Sequence, residues 1–103
     1  MHQPDVIYEY TDRQALEDGV LVAVPDGRVN RASRAVFDFF TASMASTLPA
    51  PVIDVTRLMA AIRSMLNLEA NPDGWRIGTY EGKTLWLVPN EVDGLTLMFP
   101  EDY

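Results

Sequence analysis

Apolar positions along the chain alternate between helical and strand spacing, and each change of spacing marks an element. The clearest stretch opens at Thr11. Thr11 and Gln14 fit a capping box, in which a hydroxyl and an amide three residues apart satisfy the first orphan amides of a helix. Gly19 follows Glu17 and Asp18, where a helix ends in a left-handed residue. Val20 to Val24 is a continuous aliphatic run, which predicts a short strand covered on both faces. Pro25, Asp26 and Gly27 then close it with a turn. Upstream, Met1 to Val6 reads as a loose arm or as the lead-in to a first strand over Ile7–Tyr10.

Two long helices are predicted next. Asn30 is a plausible N-cap for a helix running to about Thr47. Val36, Phe37, Phe40, Met44 and Leu48 fall within about a third of its circumference and form its core face. Phe39 lies outside that stripe, so it is either covered by a neighbouring element or belongs to a contact patch for a partner. Pro49-Ala50-Pro51 is a rigid extended link. Asp54 or Thr56 caps the second helix, Val55 to about Leu68, with an apolar stripe of Val55, Leu58, Met59, Ile62, Met65 and Leu66.

Asn71-Pro72-Asp73-Gly74 is a turn, and three strands follow it: Trp75–Tyr80, Lys83–Val88 and Leu95–Phe99. Glu81-Gly82 suits a two-residue hairpin turn, and Pro89 to Gly94 a longer loop. Alternation puts Lys83, Leu85 and Leu87 on one face and Thr84, Trp86 and Val88 on the other. Both faces are partly apolar, so helices cover one and something less regular shields the other. The expectation is one α+β domain over residues 1–103, with two long helices packed on a small mixed or antiparallel sheet of three to five strands.

Charge alters this picture more than composition does. The net charge is −7 and it is unevenly placed. Residues 1–26 hold six acids against Arg13, and residues 69–103 hold seven against Arg76 and Lys83. Between them five arginines, Arg28, Arg31, Arg34, Arg57 and Arg63, face only Asp38 and Asp54. An acidic surface made by the two ends, from Glu17, Asp18, Glu91, Asp93, Glu101 and Asp102, suits a basic site on a partner protein, with Phe39 as an apolar anchor. The alternative is a small nucleic-acid-binding regulator in which Arg28, Arg31 and Arg34, three apart at the start of a helix, meet phosphates. The acidic balance weighs against it, because phosphates are repelled.

Chemistry adds little. The chain has no cysteine and a single histidine, His2, near the terminus. It therefore lacks thiolate chemistry and the usual zinc ligands. Asn90-Glu91-Val92-Asp93-Gly94 loosely matches a calcium loop but has neither the full spacing nor the closing glutamate. The glycines fall at turns rather than in a phosphate-cradling cluster. No catalytic residue, metal or cofactor is expected. No apolar run reaches the roughly 20 residues a membrane span needs. Without a signal-peptide pattern, the expected location is the cytoplasm. Small residues over Ala42–Thr47 also allow a homodimer.

The opening Tyr10-Thr11-Asp12-Arg13-Gln14-Ala15-Leu16-Glu17-Asp18-Gly19-Val20-Leu21-Val22 resembles that of a family of small proteins of unknown function from phages, plasmids and other mobile elements. Val55-Thr56-Arg57 resembles the family's central helix start, and Gly94 to Asp102 its closing strand and acidic end. The resemblance covers about a third of the chain, in three blocks. It departs at Ala23, where the family tends to carry an aspartate, and in a shorter middle. It carries no catalytic residue. What it implies is a non-enzymatic accessory protein that binds a host protein or protein complex, with inhibitors of host defence, of the anti-CRISPR kind, as the sharpest example.

Overall fold

The computed structural model describes residues 11–43 and 53–103. Expectations for Ile7–Tyr10, Met44, Leu48 and the Pro49–Pro51 link lie outside the described residues. In chain order the elements are helix α1 (Asp12–Glu17), strands β1 (Leu21–Ala23) and β2 (Val29–Ser33), and helix α2 (Arg34–Phe40). Next come the short strands β3 (Ala42–Ser43) and β4 (Ile53–Asp54), then helix α3 (Thr56–Leu66). Strands β5 (Arg76–Tyr80), β6 (Lys83–Pro89) and β7 (Leu95–Met98) follow, with a closing 3-10 turn, Pro100–Asp102.

Five strands form one mixed sheet in the order β1-β2-β7-β6-β5, and β3 pairs with β4 separately. Only β2 and β7 run parallel; the other neighbours are antiparallel. The architecture is therefore α+β, as expected, with helices of 6, 7 and 11 residues rather than two long ones.

The expected helix from Asn30 to Thr47 is the main correction. Residues 29–33 are a central strand, and the N-cap of α2 is Ser33, whose Oγ accepts the Val36 N–H at 3.1 Å. Val29 and Ala32 are fully buried between β1 and β7, so strand pairing overrides the helical spacing that begins at Val36. The strand over Val20–Val24 is a second correction. β1 is an outer strand, half-exposed along Leu21 and Val22, and Val20 is 50% exposed.

Local signals fare better. Thr11 Oγ1 accepts the Gln14 N–H at 3.1 Å and Gln14 Oε1 accepts the Thr11 N–H at 3.2 Å, which is the capping box. The N-cap of α3 is Val55, with no side-chain cap, rather than Asp54 or Thr56; Asp54, one residue earlier, accepts the Thr56 N–H at 2.9 Å. Glu81 and Gly82 both take positive φ, at 52° and 78°, which joins β5 to β6 with a primed turn whose twist suits a hairpin.

The core sits on one face of the sheet. Leu85, Leu87, Leu97 and Ala32 face Val36 and Phe40 of α2 and Leu58, Ala61, Ile62 and Met65 of α3, all buried. Val55, expected in the α3 stripe, is 39% exposed. On the opposite face Val88 and Thr96 are buried, as is Ala15 of α1. Farther along that face Trp86 meets Trp75 and Tyr103, at ring-centroid distances of 5.3 and 5.9 Å. The less regular shield is thus a short helix and an aromatic cluster.

A carboxamide network sets the register of β2 against β7. Val29 pairs with Leu95 and Arg31 with Thr96, so Asn30 is an extra, bulged residue. Asn30 Nδ2 donates to the Val92 carbonyl at 3.0 Å, and Asn90 Nδ2 donates to Asn30 Oδ1 at 2.8 Å. Asn90 Oδ1 accepts the N–H groups of Val92 and Gly94, both at 3.0 Å. That oxygen is committed to the loop and is not presented to a cation.

Gly94 lies so close that an added Cβ would sit 2.4 Å from the Asn30 carboxamide. Gly94→Ala is therefore expected to cost about 2 kcal/mol in urea unfolding through overpacking. Asn30→Ala in the same chain should return part of that loss; equal stability of wild type and Gly94→Ala would contradict the close approach.

Asp12 and Arg31 tie α1 to β2. The guanidinium donates through Nε and Nη2 to both carboxylate oxygens at 2.8 Å, with side chains only 17% (Arg31) and 15% (Asp12) exposed. The hydrogen bonds from Arg31 hold the Asp12 carboxyl below its ordinary value of 3.8, against the opposing effect of burial. A carboxyl depressed in the folded state stabilises the protein above its unfolded value, and that contribution is lost as pH falls through the folded value. Stability should therefore fall as pH drops below about 4. Asp12→Asn should cost about 2 kcal/mol at pH 7 and flatten that acid limb in denaturant titrations, because it leaves Arg31 largely buried without its counter-ion. An unchanged acid limb would contradict this role.

Candidate functional site: an acidic surface at the joined chain ends

Val20 and Leu21 lie beside Asp102 in one hollow and, with α1, beside Glu91 in another. α1 ends in Glu17 and Asp18, and the chain turns at Gly19 into Val20 and Leu21. Two concavities flank these two residues. One, of about 390 Å³, is lined by Asp12, Ala15, Val20, Leu21, Glu91 and Thr96 among others. The other, of about 340 Å³, is lined by Val20, Leu21, Ser33, Arg34, Met98 and Asp102 among others. Half-exposed Val20 thus stands on a ridge between hollows with acids on both rims.

The expected acids divide by what they do. Glu17 is exposed and accepts from Arg13 Nε at 3.2 Å, an i,i+4 pair in solvent that contributes little. Asp18 caps the end of α1, where its backbone N–H donates to Gln14. Glu91 and Glu101 are exposed and have no ion-pair partner among the described residues. Asp102 has a structural commitment. Its Oδ2 accepts the Ser33 hydroxyl at 2.7 Å and the Phe99 N–H at 3.1 Å, so the chain end is fastened to the N-cap of α2. Asp93 takes a positive φ of 62° and lines a different hollow, with Arg28, Arg76 and Gly94. It does not join the other acids.

Phe39 stands apart as well. It is 36% exposed and packs edge-on against Phe40 and Phe99, at 4.8 and 5.9 Å between centroids. Arg57 and Lys83 lie over its ring at 5.6 and 5.4 Å, a cation–π arrangement that covers it from two sides. Arg57 also pairs with Glu81 and donates to the Phe39 carbonyl at 3.2 Å. Phe39 thus has neighbours and remains exposed, and its ring is set among cations rather than acids.

The arginine set does not form the expected row. Arg28 is in the turn before β2, Arg31 is in β2, and only Arg34 is helical. Arg31 is tied to Asp12, and Arg34 Nε donates to Asp38 at 2.9 Å. A phosphate-facing line of three charges on one helix is therefore absent from the described residues.

No group of three or more His, Cys, Asp or Glu side chains among the described residues could hold a metal ion. No described helix is long and apolar enough to cross a membrane. The role of Ser33 escaped sequence reading; its only signal was a small hydroxyl residue three before Val36. No family model, no curated protein and no solved structure matches this chain.

Proposed function

We propose that this chain is a non-enzymatic binding protein that seats its acidic ridge on a basic site of a partner protein. The observation behind this reading is convergence: Glu17 and Asp18 lead directly into exposed Val20, with Glu91 beside one flanking hollow and Asp102 beside the other. An apolar contact rimmed by unlike-charge complementarity is a common way to combine affinity with fast, selective docking. Nucleic-acid-handling complexes expose basic surfaces wherever they face phosphate, so they are fitting targets. Together with the mobile-element resemblance of the opening block, this suggests an accessory protein acting in a host cytoplasm, and in its sharpest form an inhibitor of a host defence complex.

The test compares charge reversals of equal size. The tagged chain is used to capture partners from a bacterial lysate under a moderate salt wash, with Glu17→Arg, Glu91→Arg and, as the control in the exposed segment between α3 and β5, Glu69→Arg. The first two should reduce capture of a stoichiometric protein at least tenfold, and the control by less than about twofold. Equal capture by all three variants, or recovery of nucleic acid in place of protein, would overturn the reading.

A further inference from the structure

Strand β5 is an outer strand of the sheet among the described residues. A primed two-residue turn closes on a hydrogen-bonded pair, here Tyr80 with Lys83, and such pairs then alternate along the hairpin. Tyr80, Gly78 and Arg76 therefore direct their backbone groups to β6. Ile77 and Thr79 direct theirs outward, where no described residue meets them.

Natural sheet edges are usually guarded by lysine, proline, a bulge or sheer shortness. The opposite edge, β1, has three residues and is soon followed by Pro25. β5 has five residues, pairs without a bulge and contains neither lysine nor proline. Apolar surface flanks it on both faces. Ile77 is 55% exposed on the side of Trp86. On the core side Leu68, 38% exposed, lies over Gly78 so closely that a Cβ there would meet its Cδ1 at 2.4 Å.

We propose that β5 pairs antiparallel with β5 of a second copy of this chain, about a two-fold axis at Gly78. The outward groups choose this register. Ile77 then faces the partner's Thr79 on one side of the axis and the relation repeats on the other, which makes four backbone hydrogen bonds. An axis at Ile77 or at Thr79 makes two. Charge does not choose among these registers, because Glu81 is held by Arg57 of its own copy and Arg76 Nε donates to the Leu68 carbonyl. The two Arg76 side chains stand four positions apart, about 13 Å, beyond the screening length of about 8 Å at physiological salt. In a chain of net charge −7, β5 itself carries no acid, so two copies meet least repulsion there. An unrelated extended peptide would find the hydrogen bonds but not the two-fold match of Ile77 with Thr79 on an edge free of acids.

The contact is small, and association is expected at roughly 1–100 μM. Sedimentation equilibrium across that range should carry the mass from 11.5 kDa towards twice that value. Over the same range the Ile77 and Thr79 amides should exchange progressively more slowly with solvent. Thr79→Pro removes a donor that no described residue accepts, at an edge position where proline is tolerated, and should weaken the dimer at least tenfold. Ile77→Lys should do the same through an exposed side chain, and it serves if the proline variant fails to fold. A monomer at every concentration with both amides exchanging freely would overturn the proposal. So would a dimer that Ile77→Lys leaves intact, or a monomer that takes an added extended peptide along this edge instead of a second copy.

Discussion

The parallel pairing of β2 with β7 is the join on which the rest of the molecule depends. It couples a β1–β2 unit from the first third of the chain to a β5–β6–β7 meander from the last third, and neither unit can bury its apolar face alone. Ala32, Leu97 and Leu87 lie side by side across the join, all buried, and α2 and α3 close over them. Its register is held at one end by the Asn30 bulge and the Asn90 carboxamide. At the other end Ser33 and Asp102 bind the start of α2 to the end of the chain. The approach of Val20 and Leu21 to Asp102 and Glu91 is a consequence of this pairing.

Electrostatics follow from the same geometry. Besides the exposed pair of Arg13 with Glu17, three of the eight basic side chains are held by acids among the described residues: Arg31 with Asp12, largely buried, and at the surface Arg34 with Asp38 and Arg57 with Glu81 and two phenylalanine rings. With these arginines paired to other acids, Glu91 and Glu101 are without ion-pair partners among the described residues. Surface charge is thereby sharpened beyond what the net value alone implies. The largely buried pairing of Arg31 with Asp12 is weak evidence for stability but strong evidence that these two charges are not offered to a ligand.

Elements governed by near neighbours were legible in the sequence. The capping box of α1, the α3 stripe and the Glu81-Gly82 hairpin each depend on contacts a few residues apart, and each is found where the residues indicate. Residues 29–33 were misread because one of their two partner strands, β7, lies more than 60 positions away, and no local spacing reports that pairing. The same distance hid the fate of Arg31, whose counter-ion is 19 residues upstream, and of Asp102, whose hydroxyl partner is 69 residues upstream. Of the candidate site, the acidity of both ends could be read from charge placement. Their meeting around Val20, and the removal of Asp93 and Phe39 to other surfaces, needed the topology.

The most direct test of the central claim, that the joined ends form one recognition surface, is a hydrogen-exchange footprint of this protein with its captured partner. Joint protection of residues 17–22 and of the loop around Glu91 is predicted, with α3 little changed. Protection confined to α3 and the Phe39 cluster, with the acidic ridge exchanging as in the free protein, would contradict the account.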